Sequence, residues 1–406
     1  MGAERAVIIG ASHAGAQLAA HLRREKWAGE IVLIGDEGTL PYQRPPLSKA
    51  YLAGTSTLEA MAIRGADFYD KQDIELVDGS VSSIDREART VTFDSGVTQS
   101  YSKLALCTGA RTRRLVTPGA DLAGIHYLRT AADSASLRSA ATPGTRVVVV
   151  GGGYIGLETA ASLRASGLDV TVVEAAERVL ERVTAPVVST FFTRIHREAG
   201  VEIRTGALVE EFRGDSRVRE VVLAGGDTLP ADLVVIGVGI VPNTELAEAA
   251  GITVDNGIVI DDRTRTDDPD IVAAGDCAAY HVARYSRRVR LEGVCAANEH
   301  AKVAASTLTG GSATITALPW FWSDQYDLKL QIAGLGTGYD DVIVNGDPER
   351  DRDFTCYYLR DGQLIAADCV NRPRDFMTSA QCQAVWSRLL LIRECQINGG
   401  SDLGVG

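Results

Sequence analysis

The sequence predicts an α/β protein built around two copies of one βαβ unit. Residues 6–36 read as an apolar strand, a small-residue turn, a helical stretch, a second apolar strand and an acid, and residues 146–175 repeat this order. A chain of 406 residues exceeds the size that one hydrophobic core supports, so two or three domains are expected. Glycine turns between strand and helix present backbone amides to phosphates, so both copies are interpreted as dinucleotide-binding units.

Each glycine of the second copy, Gly151, Gly153 and Gly156, has a predicted task. The first permits a tight turn, the second lets the backbone approach a pyrophosphate, and the third lets the helix pack on the strand. Glu174 closes the second strand of this copy. It is expected to accept hydrogen bonds from an adenosine ribose.

The first copy keeps Gly10 and Gly15 but has Ser12 at the middle position. Serine is the next smallest choice that brings a compatible hydroxyl. The acid of this copy is Asp36, one position later than expected because Gly35 intervenes. Two copies in full context predict two separate nucleotide sites, and the alternative is a duplicated but empty fold.

Three later segments read as further strands: residues 101–111, 232–243 and 266–280. The last of them contains an apolar strand that stops at Gly275 and Asp276. Such a strand presents a carboxylate at the carboxyl edge of a sheet. A helix N-cap is the alternative role of Asp276.

Composition and charge exclude several classes of function. The formal net charge of −12 argues against nucleic acid as the main partner, because phosphate binding uses clustered Lys and Arg. No apolar run approaches the roughly 18 residues of a membrane span. The first apolar run begins at Ala6, too early for a removable signal sequence. We therefore expect a cytoplasmic protein with no membrane partner.

No residue pattern indicates a metal site or a redox disulfide. The six histidines lack metal spacing, and neither a Ser-His-Asp nor a Cys-His constellation is readable. The seven cysteines form no close pair. They are Cys107, Cys277, Cys295, Cys356, Cys369, Cys382 and Cys395.

Over nearly its whole length the sequence resembles the FAD-dependent ferredoxin reductases. The similarity is greatest to the putidaredoxin reductase-like members of the glutathione-reductase structural class, which serve bacterial cytochromes P450. The segments that carry it are PYQRPPLSKAYLAG (41–54), VVVVGGGYIGLE (147–158), ERVLERVTAPVVS (177–189), VDNGIVI (254–260), AAGDCA (273–278) and PWFWSDQYDLKLQIAG (319–334).

The resemblance implies two Rossmann-like dinucleotide-binding domains and a C-terminal α+β interface domain. The FAD domain is discontinuous, with residues 1–112 and 240–315, and the NAD domain of residues 113–239 is inserted into it. Residues 316–406 form the interface domain. FAD and NADH are the implied cofactors.

The resemblance also implies the contacts of each cofactor. FAD would lie against Gly10, Ser12, Ala14, Gly15, Asp36, Arg44, Lys49, the backbone of Ser82, Arg129, Asp276, Val294 and Trp322. NADH would lie against Gly151, Gly153, Tyr154, Ile155, Gly156, Glu174 and Arg182. The implied catalytic group is Lys49, Glu158 and Pro45, with Lys49 and Glu158 as a charged pair near flavin N5. In the alternative, Pro45 only starts a helix and Lys49 is solvated.

The implied activity is NADH-dependent reduction of a small acidic two-iron ferredoxin. A nicotinamide gives up two electrons as hydride, whereas an iron–sulfur cluster accepts one, so a flavin is needed between them. Glu174 would repel a 2′-phosphate, which favours NADH. Arg178 and Arg182 leave NADPH as the alternative.

The resemblance places basic residues around a ferredoxin docking face, at Arg64, Lys302 and Lys329. Trp320 and Trp322 would lie on the electron's route or, in the alternative, in the core or a subunit contact. A monomer or weak homodimer is expected.

Several related activities need separate consideration. Residues 36–60 contain no cysteine, which excludes disulfide reduction and single-cysteine NADH oxidase or peroxidase chemistry. A monodehydroascorbate reductase-like enzyme and a non-catalytic flavin-binding protein of the apoptosis-inducing-factor type stay open. The stretch 290–302 departs from the family pattern at Gly293, Cys295 and Ala296. Cys295 is expected to be a packing residue rather than a redox thiol.

Overall fold

A computed structural model describes residues 4–384, with side chains as far as residue 381. The end of the expected interface domain, the side chain of Cys382 and all of Cys395 lie outside the described residues. The chain forms two compact units. Among the described residues, the first contains 4–114, 128–135 and 239–317, and the second contains 115–127, 136–238 and 318–384.

The strands in chain order are β1 (Arg5–Ile9), β2 (Glu30–Gly35), β3 (Ile74–Asp78), β4 (Val81–Asp85), β5 (Thr90–Phe93), β6 (Thr98–Ser100), β7 (Lys103–Leu106), β8 (Ala110–Thr112), β9 (Ile125–Tyr127), β10 (Arg146–Val150), β11 (Asp169–Val173), β12 (Glu202–Arg204), β13 (Val209–Gly214), β14 (Val218–Leu223), β15 (Thr228–Pro230), β16 (Leu233–Ile236), β17 (Ile240–Pro242), β18 (Ile258–Ile260), β19 (Ile271–Ala273), β20 (Ala278–Val282), β21 (Arg287–Arg290), β22 (Trp320–Gln325), β23 (Leu328–Gly334), β24 (Asp341–Asn345), β25 (Phe354–Arg360) and β26 (Gln363–Val370).

The helices are α1 (His13–Arg24), α2 (Ala66–Lys71), α3 (Ala131–Ala140), α4 (Tyr154–Ala165), α5 (Pro186–Glu198), α6 (Glu245–Ala249), α7 (Val294–Leu308) and α8 (Pro373–Ala384). Two short 3-10 turns cover Pro45–Ser48 and Ala283–Tyr285. Within residues 4–384, no helix is long and apolar enough to cross a bilayer.

The first unit is built on a parallel sheet in the order β19-β7-β1-β2-β3. Its inner strands are apolar runs because both faces of the sheet are covered. Ile8 and Leu33 pack on one face with residues of α1 and α7. Val7 and Val32 pack on the opposite face. The carboxyl ends of β1 and β19 therefore meet at one edge, where α1 begins.

The second unit repeats that design with a parallel sheet in the order β12-β11-β10-β16-β9. In both units a three-stranded antiparallel meander follows one outer strand of the parallel sheet. Strands β4-β5-β6 follow β3 in the first unit, and β13-β14-β15 follow β12 in the second. The outer strand beside β7 is β19, the last strand of its sheet in chain order, whereas the corresponding strand beside β16 is β9, the first of its sheet. The duplication predicted from the βαβ pattern is confirmed and extends over the whole of each sheet.

The second unit also contains an antiparallel sheet in the order β22-β23-β26-β25-β24. Helix α8 packs on this sheet through Phe376, which meets Ala333, Ala367 and Cys369. This α+β arrangement agrees with the fold class predicted for the C-terminal region. The division into three domains at residues 112, 240 and 316 stays a prediction.

Candidate functional site

The turn after β1 requires glycine at two of its positions. Gly10 has φ +113°, and a Cβ there would lie 2.1 Å from the Cys107 carbonyl oxygen. A Cβ on Gly15 would lie 2.0 Å from the Gly10 carbonyl oxygen. Ser12 is the N-cap residue of α1, and its hydroxyl accepts a hydrogen bond from Arg44 Nε at 3.1 Å. The serine that replaces the middle glycine therefore joins the turn to an arginine.

Arg44 forms an ion pair with Glu37, the residue that follows Asp36. Arg44 Nη2 lies 2.5 Å from Glu37 Oε1, and Tyr42 Oη donates to Glu37 Oε2. Asp36 is exposed in the turn after β2. A Cβ on Gly35 would lie 2.5 Å from the Ala11 Cβ, so the last position of β2 has no room for a side chain. The expected ribose contact of Asp36 stays a prediction.

A second arginine and a carboxylate lie at the same edge of the first sheet. Asp276 follows Gly275, whose φ is +85°, and its Oδ2 lies 3.2 Å from Arg129 Nη2. Arg44 Nη1 donates to the Arg129 carbonyl oxygen at 2.8 Å. Burial, followed by the positive charge of Arg44, lowers the pKa of His13 to about 4. Arg44, Arg129 and Asp276 therefore converge on the first turn of α1.

Helix α7 begins at Val294 in the same unit. Burial raises the pKa of the Cys295 thiol to about 12, which agrees with a packing role. Gly275 N–H donates to His300 Nδ1 at 3.3 Å, and within the described chain the buried Asn298 Oδ1 has no partner. His300 and Asn298 were not predicted from the sequence, because nothing in the pattern of a buried helix distinguishes them.

The residue types at this edge fit FAD. The first amides of α1 and the guanidinium groups of Arg44 and Arg129 suit a pyrophosphate, and the Asp276 carboxylate suits ribityl or ribose hydroxyls. Ala14 is buried against Gly275, where the Ala14 Cβ would lie 3.0 Å from a Cβ on that glycine. Ser82 lies at the register shift between β4 and β5, so its backbone is outside the regular ladder.

The glycine turn of the second unit has the same geometry. Gly151 has φ +111°, and a Cβ there would lie 2.4 Å from the Gly237 carbonyl oxygen. A Cβ on Gly156 would lie 2.0 Å from the Gly151 carbonyl oxygen. A Cβ on Gly153 would meet nothing within 4 Å. Gly153 therefore leaves open space at the start of α4, which fits the close approach of a nicotinamide dinucleotide.

The Glu174 carboxylate is held at the edge of this turn. Its Oε2 accepts from Gly152 N–H at 2.6 Å, and its Oε1 accepts from Ala176 N–H at 2.8 Å. Arg178 donates to the carbonyl oxygens of Thr184 and Glu181, at 2.8 and 2.9 Å. It also donates to Ser189 Oγ at 2.5 Å, so the Arg178 guanidinium holds the loop before α5 to the start of that helix. Arg182 is exposed.

Two residues at the start of α4 differ in exposure. Ile155 is 46% exposed, and its contact with NADH stays a prediction. The ring of Tyr154 instead packs on Phe321, with centroids 4.9 Å apart. Its buried hydroxyl has no partner among the described residues. Tyr154 therefore joins α4 to the antiparallel sheet.

The catalytic residues implied by the resemblance lie in both units. Pro45 begins the first 3-10 turn, and Lys49, which is half-buried, follows its end in the first unit. Glu158 lies on α4 in the second unit and is 2% exposed. Its Oε1 accepts a hydrogen bond from Ser323 Oγ at 2.7 Å. Ser323 was not predicted as a site residue, although the segment that contains it was singled out.

The aromatic segment of β22 forms a cluster. Trp320 and Trp322 have ring centroids 5.6 Å apart, and Trp320 lies 5.7 Å from Phe376. Trp320 is 41% exposed, whereas Trp322 is half-buried. A role for Trp322 at the flavin stays a prediction.

Basic residues gather on the face of α1 and α7 in the first unit. Burial lowers the pKa of His21, and the positive charges of Arg24, Lys302 and Arg64 act in the same direction. The negative charge of Glu25 opposes them. The Arg64 guanidinium lies 5.5 Å from the centre of the Phe68 ring. Two of the three docking candidates therefore belong to one cationic cluster of Arg24, Arg64 and Lys302. Lys329 is exposed on β23 in the second unit.

No group of three His, Cys, Asp or Glu side chains with the geometry of a metal site occurs in the described part of the chain.

Two known families match the chain. Residues 4–301 match the family described as pyridine nucleotide-disulphide oxidoreductase, and residues 320–385 match the family described as reductase C-terminal. Putidaredoxin reductase of Pseudomonas putida is 46% identical over 385 residues, which cover 93% of this chain and 91% of that protein.

Two solved structures are similar at 44% identity. The covalent putidaredoxin reductase–putidaredoxin complex has a TM-score of 0.91 and covers 93% of this chain and 92% of its own. The ferredoxin reductase for the CYP199A2 system of Rhodopseudomonas palustris has a TM-score of 0.90 and covers 92% of this chain and 93% of its own.

These similarities extend over both glycine turns and the antiparallel sheet. The protein is an FAD-dependent oxidoreductase, although residues 36–60 lack the cysteines of the disulphide chemistry in the family's description. The chain therefore belongs to the pyridine nucleotide-disulphide oxidoreductase family and, within it, to the ferredoxin reductases of the putidaredoxin reductase type.

Proposed function

We propose that this protein oxidises NADH and passes single electrons to a small acidic two-iron ferredoxin, which supplies a cytochrome P450 or another oxygenase. Bound FAD would supply the conversion between a two-electron donor and a one-electron acceptor. The observation that carries the proposal is the presence of two glycine turns of the same geometry, with arginines beside the first and a fixed carboxylate beside the second.

The side chains beside the two turns support a different cofactor at each. The first turn has Arg44 and Arg129 beside it and suits the pyrophosphate of FAD, with Asp276 for its hydroxyls. The second turn has the fixed carboxylate of Glu174, which suits the ribose diol of NADH. Arg178 is committed to the loop that precedes α5, so it is a poor candidate for a 2′-phosphate.

The cationic cluster of Arg24, Arg64 and Lys302 supports an acidic ferredoxin as the partner. Opposite charges steer a transient encounter without adding a large buried interface, which suits a carrier that must leave after each electron. The names of two related structures support a ferredoxin-type partner. One is a complex with putidaredoxin, and the other is a ferredoxin reductase for a CYP199A2 system. A monomer or weak homodimer would suffice for this task.

The test is steady-state reduction of cytochrome c by NADH with and without candidate two-iron ferredoxins. We expect little reduction without ferredoxin and a rate that saturates as ferredoxin is added. A rate that is the same with and without every ferredoxin, alongside rapid bleaching of the flavin by NADH, would favour a monodehydroascorbate reductase-like acceptor. Slow bleaching by NADH would instead indicate a flavin-binding interaction protein.

A further inference from the structure

A continuous chain of hydrogen bonds runs through the interior of the second unit to Glu158. Ser323 Oγ lies 2.7 Å from Glu158 Oε1, and Gln325 Nε2 lies 3.2 Å from Ser323 Oγ. Gln325 Oε1 lies 2.8 Å from His196 Nε2, and Tyr326 Oη lies 3.1 Å from His196 Nδ1. Glu158, Ser323, Gln325 and His196 are each no more than 2% exposed. The chain thus joins α4, β22 and α5.

Only one arrangement of hydrogens satisfies every link when the imidazole is neutral. A carboxylate only accepts, so the Ser323 hydroxyl donates to Glu158 and must accept from the Gln325 amide. Gln325 Oε1 then accepts, which places the hydrogen of His196 on Nε2. His196 Nδ1 in turn accepts from the Tyr326 hydroxyl. Rotating the Gln325 amide would require the single Ser323 hydrogen to serve two acceptors.

The surroundings of His196 favour the neutral imidazole. Burial lowers its pKa to about 4, so the ring is uncharged near neutral pH. Its ring also packs edge-on against Tyr326, with centroids 5.1 Å apart. Every donor along the chain therefore points in the same direction, and aligned hydrogen bonds of this kind polarise one another.

We propose that Ser323, Gln325, His196 and Tyr326 are positioning residues that orient the Glu158 carboxylate for the reaction with NADH. This proposal rests on the proposed function, because it assigns Glu158 to the reacting site. It explains Ser323 and Gln325, the two buried polar residues of β22. None of the four would touch a substrate.

The first test is the tautomer of His196, which does not depend on enzyme turnover. Protein labelled with ¹⁵N-histidine and loaded with FAD should show His196 at pH 7 with a hydrogen on Nε2 and none on Nδ1. The signal is assigned by its loss in His196→Gln, whose amide can still donate to Gln325 Oε1. A hydrogen on Nδ1, or a doubly protonated ring, would overturn the direction of the chain.

The second test compares the removal of two buried serine hydroxyls. Ser323→Ala takes the donor from Glu158 and should slow bleaching of the flavin by NADH in stopped flow by roughly tenfold. Ser323→Thr keeps the hydroxyl and should restore most of the rate. The matched control is Ser379→Ala, because Ser379 is 3% exposed and its hydroxyl has no partner in the described chain. It should behave as wild type.

The outcomes separate this proposal from the proposed function. If Ser323→Ala bleaches at the wild-type rate, or if Ser323→Thr is as slow as Ser323→Ala, the positioning role is wrong even when ferredoxin is reduced normally. If the wild type bleaches rapidly with NADH but reduces no ferredoxin, the proposed function fails. The Ser323 variants then still test the positioning role of the hydrogen-bond chain. If NADH does not bleach the wild type, the His196 measurement decides by itself.

Discussion

The Glu174 carboxylate both stabilises its own turn and carries the charge that meets the second cofactor. Each of its oxygens accepts one backbone N–H, from Gly152 and from Ala176. A carboxylate oxygen has two lone pairs, so each oxygen keeps one for a ribose hydroxyl. Because the amides fix its position, a 2′-phosphate could not push the charge aside.

We expect Glu174→Gln to narrow the preference for NADH over NADPH by at least about tenfold, because the substitution removes the like charge beside the extra phosphate. The measurement is the ratio of kcat/KM for the two cofactors. Glu177→Gln changes an exposed acid of the same loop and serves as the control. Equal kcat/KM values for NADH and NADPH in the wild type would contradict the predicted preference for NADH.

At the scale of single elements, the turn between β10 and α4 contains glycines of two kinds. Gly151 is required by the fold, because its φ is +111° and a Cβ would press on a backbone oxygen 2.4 Å away. Gly153 has φ −79°, which any residue adopts, and a Cβ there would meet nothing. The close approach of a bound nucleotide is the predicted reason for glycine at this N-cap position.

This difference predicts opposite phenotypes in one turn. Gly151→Ala should lower Tm by about 5 °C or more, because it combines strain with a backbone clash. Gly153→Ala should keep the wild-type Tm within about 2 °C but raise KM for NADH by about tenfold. Thermal melts and steady-state kinetics of both variants provide the check. A Gly153→Ala variant with unchanged KM would show that no cofactor approaches this backbone.

The antiparallel sheet of the second unit contains a buried carboxyl with an altered affinity for protons. Asp368 on β26 is 1% exposed and accepts from Tyr358 Oη at 2.5 Å, and Tyr358 Oη accepts from Ala185 N–H at 2.8 Å. Burial raises the pKa of Asp368 from 3.8 to about 7. Between these two values the folded state binds a proton that the unfolded state has lost.

The free energy of unfolding that Asp368 contributes therefore falls as pH rises from about 4 to about 7. Asp368→Asn mimics the neutral acid, so the variant should gain stability relative to wild type as pH rises from about 4 to about 7. The difference in Tm between the two proteins across that range measures it. Asp327→Asn, at an exposed acid, should show no such trend. A constant difference for Asp368→Asn would mean that the carboxyl is ionised throughout.

At the scale of the whole molecule, the sequence predicted the repeated design better than its details. The βαβ pattern depends on local periodicity, so both glycine turns were found from the sequence. The meanders and the different chain positions of β19 and β9 depend on pairing between distant segments, which periodicity does not encode. The contact of Glu37 with Arg44 and the crowding of Gly35 against Ala11 also join distant segments, and only the packed structure reveals them.

The same limit applies to the candidate site. Asp276 was recognised because a strand that ends in Gly-Asp is a local signal. Ser323, Gln325 and His196 come from two distant segments, and their shared chain of hydrogen bonds appears only when α5 packs near β22. Buried polar residues of this kind look like ordinary strand and helix positions in the sequence.

An acidic chain with a local basic cluster predicts a specific response to salt. Arg64 and Lys302 lie together with Arg24 around His21, in a protein whose formal net charge is −12. If these cations steer an acidic ferredoxin, ferredoxin reduction should slow as ionic strength rises from about 0.01 to about 0.5 M, because surface charges are screened over a Debye length. Bleaching of the flavin by NADH should change much less.

Replacing Arg64, Lys302 and Lys329 with alanine should raise KM for ferredoxin several-fold and flatten this salt dependence, since rim charges act mainly on the association rate. Arg64→Ala with Lys302→Ala, compared with Lys329→Ala alone, tells which unit carries the docking face. The double variant Arg213→Ala and Arg219→Ala removes two exposed cations on β13 and β14 and controls for net charge. If the triple variant keeps the wild-type KM and salt response, docking depends on other contacts, and the exposed Trp320 becomes the next residue to replace.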